Sequence, residues 1–142
     1  MKIYVASSWK NIYQPRVVAL LRGLGHQVYD FRHPQPGDYG FTWESVDAHW
    51  RSYLPEEKWD MLAHPVARRA HGLDMDALSW CTVCVLVLPA GRSSSWELGY
   101  AMGLGKLGIV YAPEPCDPEL MFSMARVVTG KGDLIAALAE IG

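Results

Sequence analysis

The sequence has 142 residues, of which half are apolar and a fifth are charged; this is the composition of a globular domain and not of a disordered chain. The formal net charge of −2 argues against a nucleic-acid polymer or an anionic membrane as partner. No apolar run approaches the ~20 residues of a spanning helix, and the N-terminus lacks the pattern of a signal peptide. We therefore expect a cytoplasmic enzyme or binding protein with a single domain, residues 1–142.

The three cysteines, in a chain without a secretion signal, are expected to be reduced thiols. Cys81 and Cys84 have C-x-x-C spacing, but both fall inside a predicted strand, where residues three apart point to opposite faces. A redox or zinc pair needs a turn or a helix start, so the spacing favours buried core thiols. The five histidines show no ligand spacing, and we expect no metal.

Predicted strands and helices alternate along the chain, with glycine or proline near most boundaries. Between the second strand and the second helix lies a Pro-punctuated segment, 33–65, which contains Trp43, Trp50 and Trp59. The predicted elements, in chain order, are strand 2–7, helix 11–25, strand 26–31, the Trp-rich segment 33–65, helix 65–81, strand 82–89, a helix from Trp96, strand 107–112, a Pro-rich loop 113–119, short helix 120–125, strand 126–130 and helix 132–142.

Apolar strands that alternate with helices predict a parallel sheet covered on both faces. Five such strands favour the doubly wound order 2-1-3-4-5, a flavodoxin- or Rossmann-like three-layer sandwich. In this fold, ligands bind in the crevice outside the carboxyl ends of strands one and three. The serine-rich loops "ASSWKN" and "PAGRSSSWE" follow these two strands, so both are expected to face the crevice.

One apparent nucleotide-binding motif does not have the required context. The run "GLGKLG", Gly103 to Gly108, spells G-x-G-x-x-G, but the dinucleotide fingerprint needs a strand before it and a helix after it. Here the order is reversed. The run is instead expected to end a helix that leads into the fourth strand.

The segment "AGRSSSWELGYAMG", Ala90 to Gly103, places a single carboxylate, Glu97, behind three serines. Ser94 or Ser95 is expected to cap the helix, which puts Glu97 in its first turn. An acidic residue there can simply complement the helix dipole. At the crevice, however, the same helix end is expected to keep Glu97 ionised, ready for nucleophilic attack or for stabilising a cationic centre.

Other polar groups are candidates to converge on Glu97. Tyr4 lies on the strand that neighbours strand three and could bring a hydroxyl close to the carboxylate. Asp74 and Asp76, in "LDMDAL", precede strand three; they belong either to the site or to a solvated helix face.

Arg92, Ser93 and Ser95 could bind a phosphate through charge-assisted hydrogen bonds, or they could form an ordinary capped surface loop. The tryptophans of the 33–65 segment could stack on a planar base, or they could serve as core or oligomer contacts.

Three stretches, "KIYVASSWKN", "LDMDAL" and "GRSSSWELGYAMGLGK", resemble the nucleoside 2-deoxyribosyltransferase family, which includes the nucleoside 5′-monophosphate N-glycosidases. The E-L-G-Y-A run followed by G-K before a strand is the most specific part. The resemblance covers the loop after strand one and about residues 72–112, and it agrees with the predicted fold.

The resemblance implies cleavage or transfer at an N-glycosidic bond, without a cofactor, through a covalent glycosyl intermediate on Glu97. It implies that Tyr4 orients Glu97, and that Asp74 contacts the leaving base or helps to protonate it. It also implies homo-oligomers whose subunits share sites. The residues that it assigns to substrate binding are Ser7, Ser8, Trp9, Arg92, Ser93, Ser94, Ser95 and Met121.

The sequence departs from the family in two places. The 33–65 segment has no counterpart, and Glu119 stands where a neutral amide is expected. Two other functions stay open. One is a Toll/interleukin-1 receptor-like domain, whose glutamate cleaves the nicotinamide bond of NAD; the other is a non-catalytic module that binds a nucleotide.

Overall fold

A computed structural model describes all 142 residues of the chain. Its centre is a five-stranded parallel sheet with the order β2-β1-β3-β4-β5, which confirms the predicted doubly wound fold. The strands are β1 (Lys2–Ala6), β2 (Gln27–Asp30), β3 (Val83–Val87), β4 (Leu107–Tyr111) and β5 (Arg126–Val128). The α-helices are α1 (Gln14–Gly23), α2 (Pro55–Asp60), α3 (Pro65–Trp80), α4 (Arg92–Gly103) and α5 (Lys131–Ile141).

The central strands are buried on both faces, as their apolar sequences require. Every residue of β3 is buried. One face of the sheet packs against α1 and α5, through a core that includes Val17, Leu21, Leu134 and Leu138. The other face packs against α3 and α4, through a core that includes Tyr4, Cys84, Leu86, Leu98 and Ala101. Alternate residues of β1 therefore face different layers, and Tyr4 faces α3 and α4.

The prediction for the start of α4 was wrong. The helix begins at Arg92, its N-cap is Gly91, and no side chain caps it. Neither Ser94 nor Ser95 is the cap, and Glu97 is the sixth helical residue, beyond the first turn. The helix does end as expected within "GLGKLG": Gly105 has a φ of +78°, a left-handed conformation that glycine adopts without steric cost.

Both cysteines of the C-x-x-C pair are buried core thiols, as predicted. The prediction that they occupy opposite faces of one strand was wrong. Cys81 ends α3, before β3 begins, and it packs in the same core layer as Cys84.

The Trp-rich segment contains only short helical pieces: the 3₁₀ turns Trp43–Ser45, Trp50–Ser52 and Met61–Ala63, together with α2. Its aromatic side chains pack on one another. The Phe41 and Trp43 rings meet edge to face at 4.9 Å, and Trp43 lies 6.4 Å from Trp50 between ring centres. Near its start, Asp38 accepts a hydrogen bond from Arg69 of α3 at 3.0 Å, which ties the segment to the helix that carries Asp74.

Candidate active site

The loops after β1 and β3 are joined directly, because these strands are neighbours in the sheet. The hydroxyl of Ser7 donates to the Val87 carbonyl oxygen at 2.8 Å. The hydroxyl of Ser94, on α4, donates to the Ser7 carbonyl oxygen at 2.7 Å. Both serines are buried. The two serine-rich loops therefore meet at the crevice as expected, and these two hydroxyls hold them together.

Asn11 is a second link between the loops, and its importance was not foreseen. Its side-chain amide donates to the carbonyl oxygens of Val87 and Pro89, at 3.1 and 2.9 Å. Its Oδ1 accepts from the backbone N–H groups of Tyr13 and Gln14, where α1 begins. An asparagine shortly before a helix is a capping signal, and that signal could have identified it.

Arg32 fixes the loop after β1 from the side of β2. Its Nη2 donates to the backbone oxygens of Ser8, Trp9 and Asn11, at 3.1, 2.8 and 2.8 Å. Its guanidinium also lies 5.5 Å from the centre of the Trp9 ring, a cation–π distance. Nothing in the local sequence around Arg32 indicates these contacts, since they depend on the tertiary fold.

A cluster of four polar side chains lies between the sheet and helices α3 and α4. Tyr4 of β1 and Tyr29 of β2 are paired across the strands, and their rings stack with centres 5.1 Å apart. The Tyr29 hydroxyl donates to Asp74 Oδ1 of α3 at 2.7 Å. Glu97 of α4 completes the cluster, since it interacts electrostatically with Asp74 and Tyr4. The chain thus brings Tyr4, Asp74 and Glu97 together from three different elements.

The carboxyl group of Glu97 is not held ionised, contrary to the expectation from the sequence. Burial, together with the nearby charge of Asp74, raises its pKa to about 7. Glu97 lies beyond the first turn of α4, and the effect of a helix dipole falls off within that turn. Glu97 therefore binds a proton more readily than an ordinary glutamate does.

The hydroxyl of Tyr4 is buried and makes no hydrogen bond, but it lies close enough to Glu97 to lower the pKa of that carboxyl. Burial, followed by the charges of Glu97 and Asp74, raises the pKa of the Tyr4 phenol. Burial and the bond to Asp74 likewise raise the pKa of Tyr29. Both phenols therefore keep their protons; that of Tyr29 is donated to Asp74, and that of Tyr4 has no acceptor.

The other side chains expected to bind substrate lie at the surface. Trp9 is 43% exposed, and its ring meets Phe31 edge to face at 5.3 Å. Met121 is 63% exposed on the 3₁₀ helix Leu120–Met124.

Among the polar side chains expected to bind substrate, Ser8 is half-buried, whereas Arg92, Ser93 and Ser95 are exposed at the start of α4. Asp76 is exposed and is not part of the polar cluster, as expected for a solvated helix face.

Two open grooves, each of about 800 Å³, lie towards opposite edges of the sheet. One is lined by the Pro-rich loop 113–119 and by Leu88 and Phe122. The other runs along β2 and is lined by Tyr29, Asp76 and Tyr39. Glu97 lines neither groove. Of the four side chains of the polar cluster, only Tyr29 lines one of the two grooves, the one along β2.

The chain contains no group of three His, Cys, Asp or Glu side chains placed to bind a metal ion. None of its helices has the length and apolar character needed to cross a membrane.

Comparison with known proteins gives one informative result. No family model matches the sequence, and no curated protein matches it either. The solved structure of a 2-deoxyribosyltransferase from Bacillus psychrosaccharolyticus is similar, with a TM-score of 0.63 over 94% of this chain and 90% of that one. The two sequences are 20% identical. This similarity confirms the fold that the sequence resemblance implied.

Proposed function

We propose that this chain cleaves or transfers the N-glycosidic bond of a nucleoside or a nucleoside 5′-monophosphate, through a covalent glycosyl ester on Glu97. The observation that carries the proposal is the half-buried Glu97–Asp74 carboxyl pair, with both pKa values raised, beside the crevice of a doubly wound sheet. Paired carboxyl groups with shifted pKa values are typical of enzymes that break glycosidic bonds. The fold shared with a 2-deoxyribosyltransferase supports the same chemistry.

The reaction has two displacements at the anomeric carbon C1′. In the first, a carboxylate oxygen of Glu97 attacks C1′, and the base leaves with the electron pair of the C–N bond. In the second, water or another base attacks C1′, and the ester bond breaks to restore the Glu97 carboxylate. Two inversions give net retention of configuration. Acid–base and nucleophilic side chains suffice, so we propose that no cofactor takes part.

Tyr4 and Asp74 have separate tasks in this reaction. The Tyr4 phenol keeps its proton and has no hydrogen-bond partner of its own; its task is to donate that proton to the Glu97 carboxylate and so orient it for attack. Asp74 lies beside Glu97, and burial raises its pKa. A carboxyl group that binds a proton more readily than usual is suited to protonate the departing base.

The start of α4 is proposed to bind the sugar or its 5′-phosphate. The helix has no side-chain cap, so its first backbone N–H groups are free to bind an anion. Arg92, Ser93 and Ser95 are exposed beside them. Ser7 and Ser94 contribute by holding the two loops together through their hydroxyls.

The loop after β1 is proposed to contact the base. The Trp9 ring is partly exposed and is held in place by Phe31, Arg32 and Gly40. A fixed aromatic face of this kind stacks on planar ligands. Ser8, next to it, is half-buried and offers a hydroxyl group.

We also propose that the chain forms homo-oligomers in which subunits share sites. Large apolar side chains stay exposed in the monomer, among them Trp96 at 82%, Leu120 at 84% and Met121 at 63%. Clusters of exposed apolar groups often mark protein interfaces. Met121 is then the residue that reaches the site of a neighbour, and sedimentation velocity over a range of concentrations tests the association.

The cytoplasm is the proposed site of action. Cys81 and Cys84 are buried and unpaired, and Cys116 is exposed and unpaired. Such thiols persist in a reducing compartment.

The proposal is tested by measuring base release chromatographically with a panel of nucleosides, their 5′-monophosphates and NAD. We expect base release from at least one nucleoside or monophosphate, and a loss of about 10³-fold or more in Glu97→Gln, because that variant lacks the nucleophile. Circular dichroism controls for folding of the variant. Nicotinamide release from NAD alone would instead select the receptor-like alternative, and the absence of any release would contradict an enzymatic role.

A further inference from the structure

Tyr29 belongs to the polar cluster, although no motif in the sequence points to it. We propose that Tyr29 is a positioning residue: by donating its hydroxyl to Asp74, it keeps Asp74 ionised, so that the proton shared by the two carboxyl groups stays on Glu97 in the free protein. This inference rests on the proposed function, and it adds a device that sets the resting protonation state of the site.

Tyr29 contacts two other members of the cluster, Tyr4 and Asp74. Its ring stacks on that of Tyr4 at 5.1 Å, and its hydroxyl lies 2.7 Å from Asp74 Oδ1. Its neighbour Asp30 is buried and accepts a hydrogen bond from Gln14 at 2.7 Å, which anchors the end of β2. The stacking on Tyr4 and the anchored end of β2 fix the position of Tyr29. The hydrogen bond from Tyr29 in turn fixes the position of Asp74.

The charges around the pair act in the same direction. Burial raises the pKa of Asp74, while the hydrogen bond from Tyr29 and then the charge of His71 on α3 oppose that effect. The negative charge of Asp74, when it is ionised, is one of the two causes that raise the pKa of Glu97. The remaining titratable groups that face the cluster are Tyr4 and Cys84 from the strands and Asp38, near Tyr29, from the Trp-rich segment.

This arrangement allows one proton to prepare both groups for reaction. When substrate is bound, the Glu97 proton passes to Asp74, directly or through one water molecule. The transfer leaves Glu97 as a carboxylate that can attack C1′, and Asp74 as an acid that can protonate the departing nitrogen. Because Oδ1 of Asp74 accepts from Tyr29, Oδ2 is the oxygen free to take the proton.

The test is a carbon-13 NMR titration of the carboxyl groups in the full chain without substrate, with Glu97 assigned through Glu97→Gln and Asp74 through Asp74→Asn. In Tyr29→Phe, which keeps the ring but loses the donor, we expect the Asp74 midpoint to move to higher pH and the Glu97 midpoint to lower pH. Tyr39→Phe is the matched control, since Tyr39 is 78% exposed; it is expected to change neither midpoint. Unchanged midpoints in Tyr29→Phe would overturn the inference.

A second variant, Asp74→Asn, tests whether Tyr29 acts on Glu97 only through Asp74. In Asp74→Asn, the Glu97 midpoint is expected to fall, and adding Tyr29→Phe should then produce no further change. A further shift in the double variant would mean that Tyr29 acts on Glu97 by another route, and would overturn the inference.

Kinetics supply a readout tied to the reaction. With a substrate that is turned over, Tyr29→Phe is expected to lower kcat by about tenfold or more, the scale of a hydrogen bond to a charged group, with little change in KM. An unchanged kcat would count against the inference. The titration needs no turnover, so a failure of the proposed function and a failure of the role of Tyr29 give different results.

Discussion

At the scale of single residues, two physical effects act on the carboxyl group of Glu97 in the same direction. Burial disfavours its charged form, and so does the neighbouring charge of Asp74. A buried carboxyl group with a raised pKa lowers the stability of the fold whenever it is ionised. The same side chain is therefore a candidate nucleophile and a source of instability, and both properties depend on pH.

The stability of the protein should fall as pH rises through the titration of Glu97. Between the ordinary value of 4.5 and the folded value of about 7, the folded state binds more protons than the unfolded one, so the free energy of unfolding falls across this window and levels off above it. We expect Glu97→Gln, which is never charged, to be more stable than the wild type by roughly 2–3 kcal/mol at pH 8. The advantage should vanish near pH 4. Thermal unfolding at several pH values measures it, and an advantage independent of pH would contradict a raised pKa.

The reaction should follow the same titration. The reactive form of the free protein carries one proton on the Glu97–Asp74 pair, and loss of that proton leaves Asp74 with nothing to give to the departing base. We therefore expect kcat/KM for base release to fall as pH rises above about 7, the pKa of Glu97 in the free protein. The pH dependence of kcat/KM reports free-enzyme pKa values. A kcat/KM that stays level or rises between about pH 6 and 9 would contradict a reactive form whose proton is held by this pair.

The residues of the site were only partly predictable from the sequence. Tyr4, Asp74 and Glu97 could be placed near one another because strand order alone makes β1 and β3 neighbours. Tyr29 and Arg32 could not be identified, because their roles depend on the register of β2 against β1 and on contacts across the loops. The pKa of Glu97 was misjudged because the start of α4, and hence the reach of its dipole, was misplaced by several residues.

At the scale of elements, the run of three serines before Glu97 shows why a helix start is hard to place. Three adjacent serines indicate a cap, yet the Ser94 hydroxyl instead finds the carbonyl oxygen of Ser7, a residue distant in sequence. A tertiary hydrogen bond replaced the local one. The helix could therefore begin at Arg92, before the serines, and it carries them on its first turn.

This difference between the serines can be tested by alanine substitution. Ser94→Ala removes a buried donor and leaves a carbonyl without its partner, so we expect it to lower the free energy of unfolding by about 1–2 kcal/mol. Ser93→Ala, at an exposed position, should change stability by less than about 0.5 kcal/mol and should instead raise KM for a substrate that carries a 5′-phosphate. Chemical denaturation distinguishes them; equal stability losses would contradict the assigned contacts.

The loop after β2 offers a second comparison between matched positions. Gly40 and Gly37 both have positive φ, of 80° and 78°. A Cβ at Gly40 would lie 2.6 Å from the Phe31 oxygen and 2.7 Å from Trp9 Cζ2, whereas at Gly37 nothing lies within 4 Å. We expect Gly37→Ala to lower the free energy of unfolding by about 1 kcal/mol, the conformational penalty alone.

Gly40→Ala should lower it by more, about 2–4 kcal/mol, because backbone strain and a steric clash combine. The clash should also displace the Trp9 ring and change its fluorescence. Equal effects of the two substitutions in denaturant unfolding would show that the segment does not pack closely on Trp9.

At the scale of the whole molecule, the sheet order was predictable because it follows from alternation, apolar strands and the handedness of parallel connections. The path of residues 33–65 was not, because the segment has no periodic pattern and is held by contacts with itself, with Trp9 and with α3. The sequence could therefore locate the crevice, whereas the start of the segment that it described least, residues 34–39, lines the groove along β2.

The central claim is that Glu97 forms a covalent bond to the sugar. The most direct measurement is the intact-protein mass after brief reaction with a 2-fluoro-substituted nucleoside, whose glycosyl ester hydrolyses slowly, followed by peptide mapping. We expect a mass increase of one glycosyl group, located on Glu97 and absent from Glu97→Gln. A glycosyl group on another residue, or base release that persists in Glu97→Gln, would contradict the claim.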